Sequence, residues 1–189
     1  MRNAKAWAKI ILVSLGAIAI FSNSMAGERI MLSISYGYLF PADSGYRDIY
    51  GKSAMLPEFN LGFRIVSDLY VYGSYFSLSR NGVTPELQEP ASSRQTFIGG
   101  GVAYFPSLGK HLKVYAGAGV VSANYKEEAM GVTVKGNKLG TMADVGIYFR
   151  ERYIFIGLHG GYYAASDTYE GNNFKLGGAR AAVVLGFIF

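Results

Sequence analysis

Through most of this chain, large apolar residues alternate with small or polar ones in successive segments. At residues 56–66, for example, Phe59 and Leu61 alternate with Glu58 and Asn60. Successive side chains of a β-strand point to opposite faces, so the alternation predicts strands whose two faces meet different surroundings. The predicted strands are 29–40, 56–66, 69–79, 95–105, 112–124, 141–150, 153–165 and 177–189.

The connections between these segments alternate in length. The short ones are Ser67-Asp68, residues 106–110 and Glu151-Arg152, and the long polar ones are 41–54, 80–93, 125–139 and 166–175. Strands of about ten residues cross a bilayer when they are tilted, and short turns on one side with long loops on the other are typical of membrane barrels. The predicted fold class is all-β, an eight-stranded antiparallel up-and-down transmembrane β-barrel.

The second and third segments allow a prediction of register. If Ser67-Asp68 is a two-residue hairpin loop, Phe63 faces Tyr72 and the apolar faces of the two strands coincide, as correct pairing requires. Tyr75 then lies on the polar face. The same register pairs Ile65 with Tyr70 and Phe59 with Phe76.

The sixth and seventh segments allow a second register prediction. If residues 151–152 close this hairpin, Val145 faces Leu158 and Asp144 faces His159. Apolar residues again lie opposite apolar ones and polar residues opposite polar ones.

The two faces of the predicted barrel differ in a way that suits a membrane. One face carries large aromatic and branched residues, which suit lipid, and the other carries small and polar residues, which suit a narrow lumen. Tyr162, Tyr163 and Tyr169 are interpreted as part of the ordinary aromatic girdle, and a rim for binding is the alternative. A secreted β-sandwich or a soluble lipocalin-like barrel is the alternative, and the clean alternation disfavours it. The bulky residues predicted inside are Met31, Leu39, Tyr75, Met142 and Tyr148.

The first 26 residues have the organisation of a signal peptide. Arg2, Lys5 and Lys9 precede an apolar run of about twelve residues at 10–21, which is shorter than the roughly twenty of a spanning helix. Small residues occupy the two positions that a signal peptidase reads, Ser24 and Ala26. We therefore predict cleavage after Ala26 and a mature barrel domain at 27–189, the alternative being an uncleaved anchor.

Composition narrows the function. The 189 residues carry a net charge of +5, but three of the 18 basic residues and none of the 13 acidic ones lie in the signal segment. The mature chain is then near +2, which does not indicate nucleic-acid binding. The sequence contains no cysteine, so it has no disulfide, thiolate metal site or thiol nucleophile.

The chain ends on a strand whose alternate residues Leu185, Phe187 and Phe189 are apolar, with a terminal aromatic. This ending, the strand count and the glycine-rich strands at 98–105 and 115–120 resemble the small outer-membrane β-barrels of Gram-negative bacteria, the OmpA-like and OmpX-like family. The resemblance implies an outer-membrane location. It also implies that the C-terminal residues signal to the barrel assembly machinery and that the wall contacts the bilayer and lipopolysaccharide.

Six ionisable residues are predicted to point into the lumen. Isolated buried charges are costly, so we expect these groups to pair. The interpretation is a structural ion-pair network that plugs the barrel, and the alternative is a gate or proton-sensitive constriction, since a histidine beside a carboxylate titrates near neutral pH. The six residues are Glu58, Arg64, Lys113, Asp144, His159 and Arg180.

The resemblance covers anchors, adhesins, minor pores and a few lipid A-modifying enzymes. Those enzymes need a histidine with a serine and an acidic residue at the outer rim, whereas His111 is predicted at an inner turn and His159 near mid-barrel. We therefore predict no catalytic residues, no metal site and no cofactor. The predicted role is envelope structure or surface interaction through four long extracellular loops, with an unidentified ligand. A narrow pore for small solutes is the alternative, and lipid modification is a distant third.

Overall fold

The structure, a computed structural model, describes residues 29–189, so the predicted signal peptide and its Ser24 and Ala26 lie outside the described residues. Eight antiparallel strands form one closed barrel in which β8 pairs with β1. The elements are β1 Ile30–Pro41, α1 Ser44–Tyr50, β2 Ala54–Val66, β3 Leu69–Val83, β4 Pro90–Tyr104, β5 Leu112–Ala129, β6 Val132–Glu151, β7 Ile154–Tyr169 and β8 Asn172–Ile188.

Within residues 29–189, the structure contains no helix of the length and apolar character that a membrane span requires.

The barrel confirms the predicted fold class and meander, but the strands are longer than predicted and the loops shorter. We call the end with the chain termini the inner end and the opposite end the outer end. Two of the predicted long loops are wrong, because residues 125–139 and 166–175 form hairpins closed by two-residue turns. In each turn both residues have positive φ: 51° and 74° at Met130-Gly131, and 48° and 82° at Glu170-Gly171. Such turns match the twist of the flanking strands.

The predicted register between β2 and β3 is wrong by one residue. The Ser67-Asp68 connection is present, but the pairing shifts between Arg64 and Val66, so Phe63 lies opposite Val71 instead of Tyr72. A shift of one residue moves every side chain of a strand to the other face. Tyr70, Tyr72 and Phe76 are therefore inside the barrel, while Val71 and Tyr75 are outside.

The predicted register between β6 and β7 is wrong by two residues, which preserves the faces. The turn residues are Arg152-Tyr153, so Val145 lies opposite Gly160 and Asp144 opposite Gly161. The side chains of His159 and Asp144 still meet diagonally, with 3.2 Å between Nε2 and Oδ1.

The outer wall is apolar and the interior is filled. Of the bulky residues predicted inside, four are buried, but Tyr75 is 46% exposed because of the β2–β3 register. Leu185 and Phe187 face outwards, and the Phe189 carbonyl accepts hydrogen bonds from the amides of Arg29 and Ile30. The assembly role of this C-terminal segment stays a prediction. The four buried residues are Met31, Leu39, Met142 and Tyr148.

Strands β3 to β8 continue past the apolar wall as an outer-end extension with polar outward faces. Water around the extension lets polar residues occupy its outward face while the backbone ladder continues. The large apolar residues of the wall therefore stop here, which is why the sequence suggested loops. The outward-facing polar residues of this extension include Ser79, Asn81, Ser92, Arg94, Lys126, Glu128, Lys135 and Asn137.

Helix α1 lies in the connection between β1 and β2, where the sequence predicted only a loop. The Asp43 side chain caps it by accepting a hydrogen bond from the Tyr46 amide at 2.9 Å, and Gly51 ends it with φ of 98°. The helix packs on β3 at Gly82, where a Cβ would lie 2.1 Å from the Ile49 carbonyl oxygen. This close approach fixes α1 over the outer mouth.

Candidate functional site

Four ionisable side chains from four strands meet inside the barrel. They are Glu58 on β2, Asp144 on β6, His159 on β7 and Arg180 on β8. None is more than 7% exposed. Burying charge is costly unless each group is paired and hydrogen-bonded, so the partners of these residues decide what the cluster can do.

Arg180 and Glu58 form the buried ion pair of this cluster. The Arg180 Nη2 group also donates to Ser35 Oγ at 2.9 Å. The Tyr163 hydroxyl donates to Glu58 Oε1 at 2.8 Å. The charges on Glu58 and Arg180 are therefore compensated within the lumen.

Asp144 is the central hydrogen-bond acceptor in the other half of the cluster. Its Oδ2 accepts from the Tyr72 hydroxyl at 2.8 Å, and its Oδ1 lies 3.2 Å from both the Tyr163 hydroxyl and His159 Nε2. Gly161 makes room for this carboxylate, because a Cβ there would lie 2.3 Å from Oδ1. Tyr163 therefore joins Glu58 and Asp144 in one network, which we call the lumen network: Ser35, Glu58, Tyr72, Asp144, His159, Tyr163 and Arg180.

The other two predicted members of the network lie elsewhere. Lys113 is near the inner end, where its Nζ donates to the Phe105 carbonyl at 3.3 Å and lies 4.9 Å from the Phe105 ring centroid. Arg64 lies near the end of β2, opposite Tyr70 and half-exposed. The structure thus brings together four of the six predicted charges.

Two tyrosines of the lumen network escaped the sequence reasoning. Tyr72 was assigned to the lipid face by the wrong β2–β3 register, and Tyr163 was interpreted as girdle although it is fully buried. A signal for Tyr163 was available, because it lies four residues after His159 and hence on the same face of β7. Buried carboxylates also require donors, which inward tyrosines supply.

Aromatic rings fill the barrel on both sides of the network. Towards the inner end, Phe105 packs against Tyr70, Tyr115, Tyr148 and Phe155, with ring centroids 5.4 to 6.1 Å apart. Such close ring packing leaves the network between apolar layers.

Towards the outer end, Phe76 and Phe97 stack with centroids 4.6 Å apart. The Arg180 guanidinium lies 6.0 Å from the Phe76 ring. Across residues 29–189, no group of three or more acidic, histidine or cysteine side chains is arranged to hold a metal ion. The geometry of the lumen is that of a filled core with compensated charges.

A surface depression of about 680 Å³ lies in the lipid-facing wall of β1 to β4 and β8. Its apolar lining includes Phe59, Leu61 and Val71, and Gly73 leaves it without a side chain at one position. It lies within the apolar wall, where hydrocarbon chains supply the surroundings.

A second concave feature lies at the outer end, between α1 and the ends of β5, β6 and β8. We call it the outer-end cleft, and its volume is about 260 Å³. Burial raises the pKa of the Tyr46 phenol, which faces this region from α1, to about 12. The cleft is lined by Asp43, Gly45, Tyr46, Ile49, Tyr50, Tyr125, Glu127, Val134, Tyr169, Asn172, Phe174 and Lys175.

No protein-family model matches the chain, and no curated relative matches its sequence. Its fold is similar to that of three solved structures. Neisserial surface protein A has 13% identity and a TM-score of 0.62, with 87% of this chain and 98% of that one covered. Ail of Yersinia pestis, in complex with the heparin analogue sucrose octasulfate, has 13% identity and a TM-score of 0.56, covering 86% and 99%.

The third similar structure is the N-terminal β-barrel domain of Pseudomonas aeruginosa OprF. It has 14% identity and a TM-score of 0.52, with 87% of this chain and the whole of that domain covered. The closed eight-stranded meander, the apolar outer wall and these likenesses agree, and the chain has the fold of the small eight-stranded bacterial outer-membrane β-barrels.

Proposed function

We propose that the protein is a non-catalytic barrel of the outer membrane that acts at the cell surface through its outer end. The observation that supports this most is the filled lumen, in which aromatic layers enclose a network of paired charges. A filled core stabilises a barrel and opposes flow through it. The outer end, in contrast, offers long polar hairpins, α1 and a cleft.

The proposed surface role is the one predicted from the sequence, but a different part of the outer end carries it. Tight hairpins of the outer-end extension replace two of the four long loops, so the contact surface is a rigid sheet instead of mobile segments. Rigid elements lose less conformational entropy when they bind a partner. A surface role is also in keeping with the name of Ail, an attachment invasion locus protein of the same fold.

Conductance tests the surface role against the pore alternative. We expect the refolded barrel to be electrically silent in a planar bilayer, because the Phe105 and Phe76 layers close the lumen. A heat-dependent shift in gel mobility shows that the protein is folded. Reproducible conductance steps that change size in Asp144→Asn or His159→Gln would contradict the proposal and make the lumen network part of an ion pathway.

A row of cations supports lipopolysaccharide as the lipid partner. Arg94, Lys126 and Lys135 face outwards at paired positions on β4, β5 and β6, just beyond the apolar wall. Like charges on directly opposite residues are destabilising, and anionic headgroups would relieve that repulsion. Lys126 also pairs with Glu128 at 2.6 Å, which leaves the row with a net positive charge.

We expect the triple variant Arg94→Gln, Lys126→Gln, Lys135→Gln to lose affinity for lipopolysaccharide. Each cation near an anionic surface contributes about 1 kcal/mol, so the loss is about a hundredfold for three. The measurement is thermal stabilisation of the folded barrel in neutral micelles by added lipopolysaccharide. Lys110→Gln, at the inner end, is the control, and an unchanged triple variant would show that the row does not contact the phosphates.

A further inference from the structure

The outer-end cleft has aromatic rings on two opposite sides. On the α1 side, the Tyr46 and Tyr50 rings lie with centroids 4.6 Å apart. On the strand side, Tyr125 and Phe174 meet edge to face, with centroids 5.3 Å apart. These residues all line one small cavity outside the apolar wall, open to the aqueous side of the barrel. The electron-rich faces of such rings favour a cation or a flat apolar group.

Glu127 supplies the negative charge of the cleft. It is half-buried, its Oε1 accepts a hydrogen bond from Ser93 Oγ at 3.3 Å, and the Gln95 side chain is a second hydrogen-bonding neighbour of the carboxylate. Over residues 29–189, no basic side chain lies within ion-pair distance of it. Burial raises the pKa of the Glu127 carboxyl, and the nearby Asp43 charge raises it further. A carboxylate that is partly desolvated and unpaired gains from a cation placed beside it.

The other charged groups of the cleft are not available to bind a cation. Both oxygens of Asp43 are already used, since Oδ1 accepts from the Tyr46 amide at 2.9 Å and Oδ2 from the Lys175 amide at 3.0 Å. Lys175 also lines the cleft, but its side chain is exposed. With one available carboxylate, the cleft lacks the six or more oxygen ligands that calcium requires, and Glu127 repels anions.

The ring of Tyr46 contributes a surface to the cleft, whereas its hydroxyl does not. The Tyr46 oxygen is inaccessible to solvent and lies near the Ser93 side chain, so a ligand in the cleft does not contact it. The Tyr46 ring and the Glu127 carboxylate both line the same small cavity. The charge that attracts a cation to this cavity is therefore that of Glu127.

We propose that the outer-end cleft binds a small organic ammonium ion, with its charge beside Glu127 and its alkyl groups against the tyrosine rings. This rests on the proposed surface function and names a ligand class for it. Carboxylates and aromatic faces together recognise such cations, whose charge is spread over alkyl groups. The cavity, of about 260 Å³, suits a headgroup or an amine side chain instead of a chain of sugars.

Choline is the probe, and its uncharged carbon analogue 3,3-dimethylbutan-1-ol is the matched control ligand. The refolded barrel is studied in phosphatidylglycerol nanodiscs, which contain no amine headgroup, and binding is measured by calorimetry. We expect choline to bind at least about tenfold more tightly than the alcohol, a difference of about 1.4 kcal/mol. Equal affinities, or no binding of choline, would overturn the proposal. Binding of a neutral hexose in place of choline would identify a sugar site instead.

Adjacent residues on opposite faces of β5 give the variant and its control. Glu127→Gln keeps the shape of the cleft and should weaken choline binding about tenfold or more, whereas Glu128→Gln, which removes an exposed carboxylate facing away from the cleft, should leave it unchanged. Tyr50→Leu should weaken binding by about two- to fivefold, through loss of an aromatic face. Wild-type affinity in Glu127→Gln would rule out the site.

A variant that displaces α1 gives an independent check. Gly82→Val places a side chain against the Ile49 carbonyl and should move the helix, abolishing choline binding while the barrel stays folded in the gel-mobility assay. Gly109→Ala, where a Cβ meets no atom within 4 Å, is the control. Conductance is recorded on the same preparation. A silent barrel that does not bind choline therefore overturns the ammonium site alone, whereas a conducting one overturns the proposed function.

Discussion

Glu58→Ala should destabilise the barrel by about 3–5 kcal/mol, the usual cost of removing one partner of a buried ion pair. The substitution leaves the Arg180 guanidinium buried without its carboxylate and removes the acceptor of the Tyr163 hydroxyl. The measurement is urea unfolding of the barrel in lipid vesicles, followed by circular dichroism and gel mobility. Fluorescence is less suitable, because residues 29–189 contain no tryptophan.

Two further variants compare the energetic cost of breaking a buried ion pair with that of breaking an exposed one. The double variant Glu58→Leu, Arg180→Met should cost less than Glu58→Ala, because it removes both charges and leaves none unpaired. Glu128→Ala, which breaks the exposed pair with Lys126, should cost no more than about 1 kcal/mol. If Glu58→Ala also costs less than about 1 kcal/mol, water reaches the network, and the pore alternative gains support.

Val71→Arg should destabilise the barrel by about 1–3 kcal/mol, because the new arginine faces lipid in the inner half of the apolar wall, where the cost lies between that at the interface and that at the middle of the bilayer. Val71 faces outwards because of the irregularity between Arg64 and Val66. In the register predicted from the sequence, the same residue points into the lumen opposite Arg64, and Tyr72 faces lipid instead of donating to Asp144. Tyr72→Phe therefore distinguishes the two registers: it should cost about 1–3 kcal/mol here, because it removes a hydrogen bond to the buried Asp144, and should be nearly neutral for a tyrosine that faces lipid.

Ser79→Arg is the control for Val71→Arg. Ser79 lies on the same strand and the same face, but in the outer-end extension, where its side chain meets water. Its replacement should change the free energy of unfolding by less than about 0.5 kcal/mol. A tolerated Val71→Arg together with a neutral Tyr72→Phe would contradict the register of the structure.

The sequence pattern was sufficient for the faces of most strands, with β3 the exception. Glu58, Asp144, His159 and Arg180 were all expected inside, and all four are buried. The reason is physical: a strand repeats every two residues, so one buried or exposed position fixes the others along it. The same argument predicts a closed meander, since each strand pairs with its successor and closure removes unpaired edges.

The alternation of apolar and polar residues could not predict the helix or the outer-end cleft. The seven residues of α1 are too few to show a helical period, and the helix is stabilised by the Asp43 cap and by its close contact with Gly82. The outer-end hairpins were also predicted as loops, because their outward faces meet water and carry polar residues in place of the large apolar residues of the wall. Glu127 therefore gave no sign of a cleft until α1 was in place.

Register was decided by the tertiary structure alone. Period two specifies the faces within a strand but not which residue of the neighbour lies opposite, and one irregularity at Arg64–Val66 reverses every face of β3 relative to the simple hairpin. That reversal brings Tyr72 to Asp144, while Tyr163 reaches Glu58 across 105 residues of chain. The sequence by itself determined the strands, the alternation of the two faces along each strand and the closure of the barrel. The barrel, by curving distant strands around one narrow lumen, determined which charges and hydroxyls meet.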